Sequence, residues 1–398
     1  SLPWWAVGLS VMATQFSAIT MVGTTGQGFA DGMRFLQFYY GLPLAMIVLS
    51  VTLVPFFHRA RVYTAYEYLE RRFDAKTRAF TSLLFLLSRS MSLGVVISAP
   101  AVVLSVVLGF DLTATALLIA VPTVVYTMFG GVQAVTWTDV KQMVLIVGAL
   151  AAAVVVLVTS LPDEVGVLQA MKIAGAAGRL RTFDFSFDLT NQYTFWSGTI
   201  AALFLFCSYF GADQSQVQRY LTTRSVDEAR ESLLMSAYWK IPLQALVLLV
   251  GVLMFLFFLY TPSPMLFNLV HDREMREGPR AADYQALESR FEAATASRSA
   301  AARVMSRAEA AGDARSYEAA RNEFRRQNAE TAAVRGEAMD LVRTATGDSG
   351  YNDVNYVFPT FVTRFLPIGL PGLVVAAILA AAMSTISAEL SALSTATV

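Results

Sequence analysis

The chain has 398 residues, of which 55% are hydrophobic and only 15% are charged, and its mean hydropathy is +0.51. Soluble domains carry roughly a quarter charged residues, so this composition excludes an ordinary soluble protein, a disordered chain and a collagen-like chain. The 30 basic and 30 acidic residues cancel, and nucleic acid is therefore not expected as a partner. One cysteine and two histidines exclude a disulfide scaffold and leave few ligands for zinc. The composition predicts an integral membrane protein.

Eight uncharged runs reach the roughly 20 residues that a membrane-spanning helix needs. The runs are Ser1–Ala30, Phe35–Phe57, Ser90–Phe110, Leu112–Thr138, Gln142–Pro162, Leu189–Ala212, Ile241–Val270 and Phe365–Ala388. They predict an all-α, polytopic helical membrane protein. Basic residues concentrate in two connections, which lie on the same side if the spans alternate. These residues are Arg59, Arg61, Arg71, Arg72, Lys76 and Arg78 after the second span, and Arg219, Arg224 and Arg230 after the sixth. The positive-inside rule makes that side cytoplasmic.

Charges cluster between Asp272 and Asp348, where 13 basic and 14 acidic residues lie. The segments Ala281–Glu309 and Ala314–Val342 are rich in Ala, Arg and Glu, and Gly312-Asp313 is a turn signal between them. This pattern predicts a solvated helical hairpin on the outer face; a role in capturing a solute or a partner stays open. We expect three units: residues 1–270 with spans one to seven, residues 271–348 as an extramembrane helical insertion, and residues 349–398 as a re-entry segment with the eighth span.

Three ionisable residues lie within or beside spans, where charges are costly and often mark a transport pathway. They are Arg89, Asp139 and Lys240. Asp139 and Lys240 have an alternative interpretation, in which the side chains reach the cytoplasmic interface. Arg89 lies deeper, and we expect it to face inward.

Two spans carry signals of a broken helix. Hydroxyl and amide side chains interrupt the first span over Ala13–Thr20, and Gly23 and Gly26 follow; the sixth span has a similar polar stretch over Cys207–Ala212. Breaks at corresponding positions of two halves indicate a transporter's central binding site. The alternative is that these small polar residues serve helix packing.

The eighth span carries four hydroxyl residues among small ones, namely Ser384, Thr385, Ser387 and Ser391. Ala381 and Ser384 are one turn apart, so one helix face presents a carbonyl and a hydroxyl together. Neutral oxygen ligands of this kind suit an alkali cation.

These motifs together resemble the sodium/solute symporter family, which includes the sodium/glucose, proline, sialic acid, monocarboxylate and multivitamin cotransporters. The matching segments are Leu2–Gly8 with Ser17–Thr20, Tyr63–Phe73, Gly130–Val140, Asp213–Leu221 and Ala382–Thr385. The resemblance implies a leucine-transporter-type fold of two inverted five-helix repeats that works by alternating access. It also implies a chain incomplete at both ends, with eight core spans present and the last two core helices missing.

The resemblance implies two kinds of sodium site in this chain. The family's common sodium site uses helix-break and eighth-helix carbonyls with two adjacent hydroxyls, which fall here on Ala13, Phe16, Ala381, Ser384 and Thr385. Some members bind a second sodium ion, for which Asp139 and Ser387 match. The next position is Ala388, where some two-sodium members carry a hydroxyl, and this departure puts the second ion in doubt.

The solute contacts implied by the resemblance are Ser17, Thr20, Tyr39, Arg89, Tyr209 and Lys240. Sugar-transporting members carry amides and carboxylates at several of these positions, so a hexose is disfavoured. The run Thr14–Thr20 resembles the sialic acid branch, in which a third-helix arginine meets a carboxylate, and Arg89 suits that role.

The function implied is sodium-coupled import of a small organic solute, such as a carboxylate or a sialic-acid-like compound. The expected partners are the solute, sodium and the lipid bilayer, with sodium as coupling ion and no cofactor. The expected location is the cell membrane, the inner membrane of a bacterium. The alternative is a solute-sensing membrane domain of a signalling protein. A membrane enzyme is not expected, because the sequence has no metal cluster, nucleophile motif or phosphate-binding glycine loop.

Overall fold

The computed structural model describes residues 2–188 and 190–397, except for the side chains of residues 106–108. Ser1 and Leu189, at which two of the predicted spans begin, lie outside the described residues. Every regular element within these ranges is a helix. The α-helices are α1 (Trp4–Thr14), α2 (Thr25–Asp31), α3 (Gly41–Val51), α4 (Leu53–Ala60), α5 (Ala65–Arg72), α6 (Ala75–Leu108), α7 (Leu112–Thr159), α8 (Val167–Ala176), α9 (Ala202–Ala212), α10 (Gln214–Tyr220), α11 (Val226–Tyr260), α12 (Leu269–Glu277), α13 (Ala281–Ala310), α14 (Ala314–Thr346), α15 (Val357–Phe365) and α16 (Leu370–Thr397).

Short helical turns of other types join some of these helices. A π-helical turn, Thr20–Thr24, leads into α2, and a second one, Ser197–Ala201, leads into α9. A 3₁₀ segment, Gly32–Tyr39, connects α2 to α3, and a 3₁₀ turn, Val354–Tyr356, precedes α15.

The eight uncharged runs fall on helices, although their boundaries do not coincide with helix ends. Within the described ranges, five helical stretches are long and apolar enough to cross a membrane. One of them, α7, has 48 residues and would extend about 72 Å if it were straight, more than twice the hydrocarbon thickness. Gly131 has a φ of 55° inside it, a left-handed value that glycine tolerates. This kink divides α7 into two segments, and it lies within the predicted fourth span, seven residues before the predicted end at Thr138.

The helices α2 and α11 approach each other closely at two glycines. A Cβ atom on Gly251 would lie 2.2 Å from the Thr25 carbonyl oxygen and 2.6 Å from the Gly28 Cα. Side chains larger than hydrogen would separate these helices. Together with α1, α7 and α16, they surround the main apolar core, which contains Phe16, Ala381 and Ile146.

The predicted charged hairpin is present as α13 and α14, with Gly312 at a φ of 69° in the turn and Asp313 capping α14. It does not stand free in solvent. Met305 and Phe324, two of its few large apolar residues, are buried in the same core as the membrane helices. Ion pairs add to this attachment, because Arg307 contacts Glu164 at 3.0 Å and Lys172 contacts Glu309. The insertion is therefore packed against the membrane helices through Met305 and Phe324 and is held by ion pairs to α8 and the turn before it.

Candidate functional site

The first span breaks where the sequence predicts it. Helix α1 ends at Thr14, Phe16 and Ser17 are not helical, and the helix resumes at Ala18. Carbonyl groups at a helix C-terminus lack intrahelical donors and carry partial negative charge. One of them, the carbonyl of Gln15, accepts a hydrogen bond of 3.3 Å from the Lys240 ammonium of α11. The break thus exposes backbone oxygens to cations within the protein interior.

Helix α16 packs directly against this break. The Thr385 hydroxyl lies 3.3 Å from the carbonyl oxygen of Thr14 and 3.3 Å from that of Ala381. Of the residues predicted for the common sodium site, Ala13, Phe16, Ala381 and Ser384 have no exposed surface, and Thr385 is 7% exposed. Backbone and hydroxyl oxygens from two distant parts of the chain therefore meet inside the bundle.

Asp139 is fully buried beside this region, within α7. Its carboxylate accepts hydrogen bonds of 2.6 Å from the hydroxyls of Ser10 and Ser384. It also forms a 2.6 Å ion pair with Arg219 of α10, which is 2% exposed. Ser387 instead donates to the Ser384 carbonyl at 3.0 Å. The two residues predicted for a second sodium ion are therefore engaged separately.

Arg219 and Ser10 are two members of this cluster that the sequence reasoning missed. From the sequence, Arg219 is expected to be a cytoplasmic loop residue. In the structure it is buried and forms an ion pair with Asp139. Nothing in the local sequence marks this pairing, since 80 positions separate the two residues. Ser10 lies one turn before Thr14, whose hydroxyl donates to the Ser10 carbonyl at 2.9 Å.

The sixth span breaks later than predicted. Residues Cys207–Ala212 are helical within α9, and the interruption falls at Asp213, whose extended backbone has a ψ of 119°. Asp213 caps α10 because its carboxylate accepts hydrogen bonds from the Ser215 backbone N–H (2.9 Å) and hydroxyl (2.7 Å). A capping aspartate satisfies the free N–H groups of a helix start, which is why the chain breaks here and not at the small residues before it.

Arg89 lies between two carboxylates. Its guanidinium contacts Asp213 and lies 3.1 Å from Glu389 of α16, and Ser92 donates to the same Glu389 oxygen at 3.2 Å. The Tyr209 ring lies 5.7 Å from the guanidinium carbon. The predicted inward orientation of Arg89 is confirmed, and in this conformation its charge is already paired. The sequence reasoning missed Glu389 as a site residue, although it lies between Ser387 and Ser391 of the hydroxyl-rich run.

Lys240 occupies a different environment. Its ammonium is buried and lies 5.3 Å and 5.5 Å from the ring centroids of Phe16 and Tyr39. Among the described residues no carboxylate lies within ion-pair distance of it. The hydroxyls of Ser17 and Thr20 lie 3.4 Å apart at the break itself. The six predicted solute contacts thus form two groups, one around Lys240 and the helix break and the other around Arg89 and Tyr209.

Comparisons with known proteins find similarity to one family of transporters. The model of the sodium:solute symporter family matches residues 1–272. The human sodium/iodide cotransporter is 32% identical over 252 residues, covering 63% of this chain and 39% of that protein. Human sodium-coupled monocarboxylate transporter 2 is 32% identical over 228 residues, covering 57% and 36% of the two chains. The rabbit (Oryctolagus cuniculus) sodium-dependent multivitamin transporter is 31% identical over 264 residues, covering 65% and 40%. The chain therefore spans about two fifths of the length of these relatives.

A solved structure has the same fold. It is a Na⁺-coupled sialic acid symporter in a substrate-bound outward-open state, which matches with a TM-score of 0.69 and 22% identity. The match covers 100% of this chain and 65% of that one. This likeness confirms the predicted all-α, multi-pass fold of leucine-transporter type.

Proposed function

Because the chain belongs to the sodium:solute symporter family, as its motifs predict, we propose that it forms the core of a sodium-coupled symporter for a small organic solute. The observation that carries this proposal is the contact between the broken end of α1 and the hydroxyl face of α16. Transport requires no covalent step, so we assign no enzymatic reaction. The multi-pass fold belongs in a cell membrane, and we propose the inner membrane of a bacterium.

The coupling ion in this proposal is one sodium ion held between α1 and α16. The carbonyls of Ala13, Phe16 and Ala381 and the hydroxyls of Ser384 and Thr385 supply oxygen ligands without a formal charge. Irregular backbone is tolerated at membrane depth only where it is enclosed by protein or lines a cavity, and the described break fits that condition. Sodium occupancy would hold the two helices together, and its loss would allow them to separate.

We do not extend the proposal to a second sodium ion at Asp139 and Ser387. The negative charge of Asp139 is neutralised by Arg219 at 2.6 Å and is further stabilised by two hydroxyl donors. A cation entering beside Asp139 would have to displace a buried guanidinium group. We therefore propose that one sodium ion is transported with each solute molecule.

For the solute, we propose an organic carboxylate whose charge meets Lys240. This ammonium adjoins the helix break and donates one described hydrogen bond, to the Gln15 carbonyl. Arg89, by contrast, already contacts Asp213 and Glu389. We assign Arg89 to a gate that joins α6, α10 and α16 while the solute is bound. Binding of the solute carboxylate, which the sequence led us to expect of Arg89, is therefore assigned to Lys240.

Sodium-dependent uptake into proteoliposomes that contain the full-length protein tests the proposal. The variant Ser384→Ala with Thr385→Ala removes both hydroxyl ligands and should raise the sodium concentration needed for half-maximal uptake at least tenfold. Thr385→Ser keeps a hydroxyl at the same position and should behave close to the parent protein. An unchanged sodium dependence in the double variant would count against the site.

A further inference from the structure

Three arginines converge on a cavity of about 180 Å³ between the hairpin and the membrane bundle. Arg179 follows α8, Arg298 lies in α13 and Arg335 lies in α14, so each comes from a separate segment. The aromatic rings of Phe29 and Phe255, from α2 and α11, also line the cavity. The cavity is thus built jointly by the charged insertion and the membrane helices.

Within the part of the chain that the structure describes, Arg335 is the one of the three that forms an ion pair. Its guanidinium contacts Asp353 and donates to the Met265 carbonyl at 3.2 Å. The backbone N–H of Phe267 also donates to Asp353, at 2.6 Å, and holds that carboxylate in place. Arg335 therefore contributes a fixed, oriented guanidinium, and its pair with Asp353 has no net charge.

Arg298 has no such compensation. It is 8% exposed, its Nε atom is buried without a hydrogen-bond partner, and no carboxylate among the described residues pairs with it. Burial lowers its pKa to about 10, and the nearby Arg179 and Arg335 guanidinium groups add to that shift. Stacking near the Phe255 ring, 5.7 Å from the guanidinium carbon, offsets only part of the lost hydration.

Arg179 is in a similar position. Its Nε atom is buried and has no hydrogen-bond partner among residues 2–188 and 190–397, and its guanidinium carbon lies 4.8 Å from the centroid of the same Phe255 ring. Burial lowers its pKa to about 10; Asp31 opposes this shift and Arg335 adds to it. Its backbone is fixed, since its carbonyl accepts a 2.8 Å hydrogen bond from Met33. With Asp31 and Asp353 counted against three arginines, one positive charge remains in excess.

Buried unpaired cations are unfavourable unless an anion joins them. Guanidinium groups bind carboxylates through paired, parallel hydrogen bonds. Phe267, Phe291 and Met339 also line the cavity. A fully polar ion would leave these apolar side chains uncovered, whereas an apolar body would pack against them. A cavity of about 150 Å³ holds one benzene molecule, so the space here suits a ring-sized ligand.

We propose that this cavity binds a small carboxylate with an apolar body, of the size of benzoate. The site is separate from the sodium and solute sites proposed above, because Phe255 lies 15 residues along α11 from Lys240, or about 22 Å. The bound carboxylate joins Arg179, Arg298 and Arg335, relieves their mutual repulsion and fastens the hairpin to the membrane bundle.

Benzoate binding to the purified full-length protein tests this site, with benzyl alcohol as the uncharged analogue and sulfate as the fully polar one. We expect saturable benzoate binding that raises the unfolding temperature, and no comparable effect from benzyl alcohol or sulfate. Arg298→Met should weaken benzoate binding at least tenfold. The exposed Arg326, in the same hairpin, gives the matched control Arg326→Met, which should leave the affinity unchanged.

The variants also separate this site from the proposed solute site. If Lys240→Gln abolishes benzoate binding and Arg298→Met leaves it intact, benzoate binds beside the helix break and the inference is wrong. Equal affinity in Arg298→Met and the parent protein overturns it as well. Without ligand, Arg298→Met should fold at least as stably as the parent, because it removes an unpaired buried charge. Sodium-dependent stabilisation should persist in this variant, so a failure here is distinguishable from a failure of the transport proposal.

Discussion

The buried pair of Asp139 and Arg219 permits a quantitative prediction. Asp139→Asn removes the negative charge and leaves the Arg219 guanidinium buried at 2% exposure. Breaking a buried ion pair by removing one partner costs about 3–5 kcal/mol, because the remaining charge has neither water nor a counterion. At about 2 °C per kcal/mol for a large chain, the apparent unfolding temperature should fall by about 6–10 °C.

The double variant Asp139→Asn with Arg219→Met is the control. It removes both charges, and replacing a buried pair by uncharged groups is often nearly neutral. We therefore expect the double variant to recover most of the stability lost in Asp139→Asn. A coupling free energy of at least about 2 kcal/mol between the two substitutions would follow.

The unfolding of these variants can be followed by the reaction of Cys207 with a thiol-specific dye. Cys207 is the only cysteine in the sequence and is partly buried in α9. A dye that fluoresces on reaction with a thiol reports unfolding of the detergent-solubilised protein, and Cys207→Ser measures the background from any other site. Purely additive effects of the two substitutions, with no recovery in the double variant, would refute the buried-pair reasoning.

Three further predictions address other parts of the molecule. Lys240→Gln should raise the KM for carboxylate uptake at least tenfold with little loss of folding stability; an unchanged KM would remove Lys240 from the solute site. Gly251→Ala should lower the unfolding temperature, because its Cβ would lie 2.2 Å from the Thr25 carbonyl oxygen, and overpacking costs about 1–3 kcal/mol. Gly148→Ala, where nothing lies within 4 Å, is the matched control and should have little effect. The Ser186 hydroxyl and backbone N–H lower the pKa of Asp184, so this carboxylate stabilises the fold above its ordinary pKa, and that contribution should fade as pH falls through the lowered pKa. Asp184→Asn should make the free energy of unfolding less dependent on pH between pH 5 and pH 2. An identical pH profile in Asp184→Asn and the parent protein would contradict this prediction.

The sequence predicts the break in the first span well because its cause is local. Side chains that compete for backbone hydrogen bonds, those of Thr14, Gln15 and Ser17, lie within two residues of Phe16, whereas Gly23 and Gly26 lie in the helical segments after the break. The sixth span shows the limit of that reasoning. The same kind of polar stretch, Cys207–Ala212, stays helical, and the chain breaks at Asp213, where a capping carboxylate supplies the alternative hydrogen bonds.

Long-range pairings are the part that the sequence does not reveal. Arg219 reads as a loop residue because its neighbours are polar, yet it pairs with Asp139, 80 positions earlier. Arg298 reads as one of many surface charges in the hairpin, and only the packing of α13 against the membrane helices makes it a buried cation. Local patterns establish which residues are unusual for their helix, and the tertiary fold decides which partner each one finds.

The sodium site between α1 and α16 is tested most directly by thermal unfolding of the full-length protein in sodium and in potassium at equal ionic strength. Ligands that bind only the folded state raise the unfolding temperature as their concentration exceeds Kd. We predict that sodium stabilises the parent protein and Thr385→Ser, and that the double variant of Ser384 and Thr385 to alanine needs at least ten times more sodium for the same shift. An equal sodium response in the double variant and the parent would contradict the central claim.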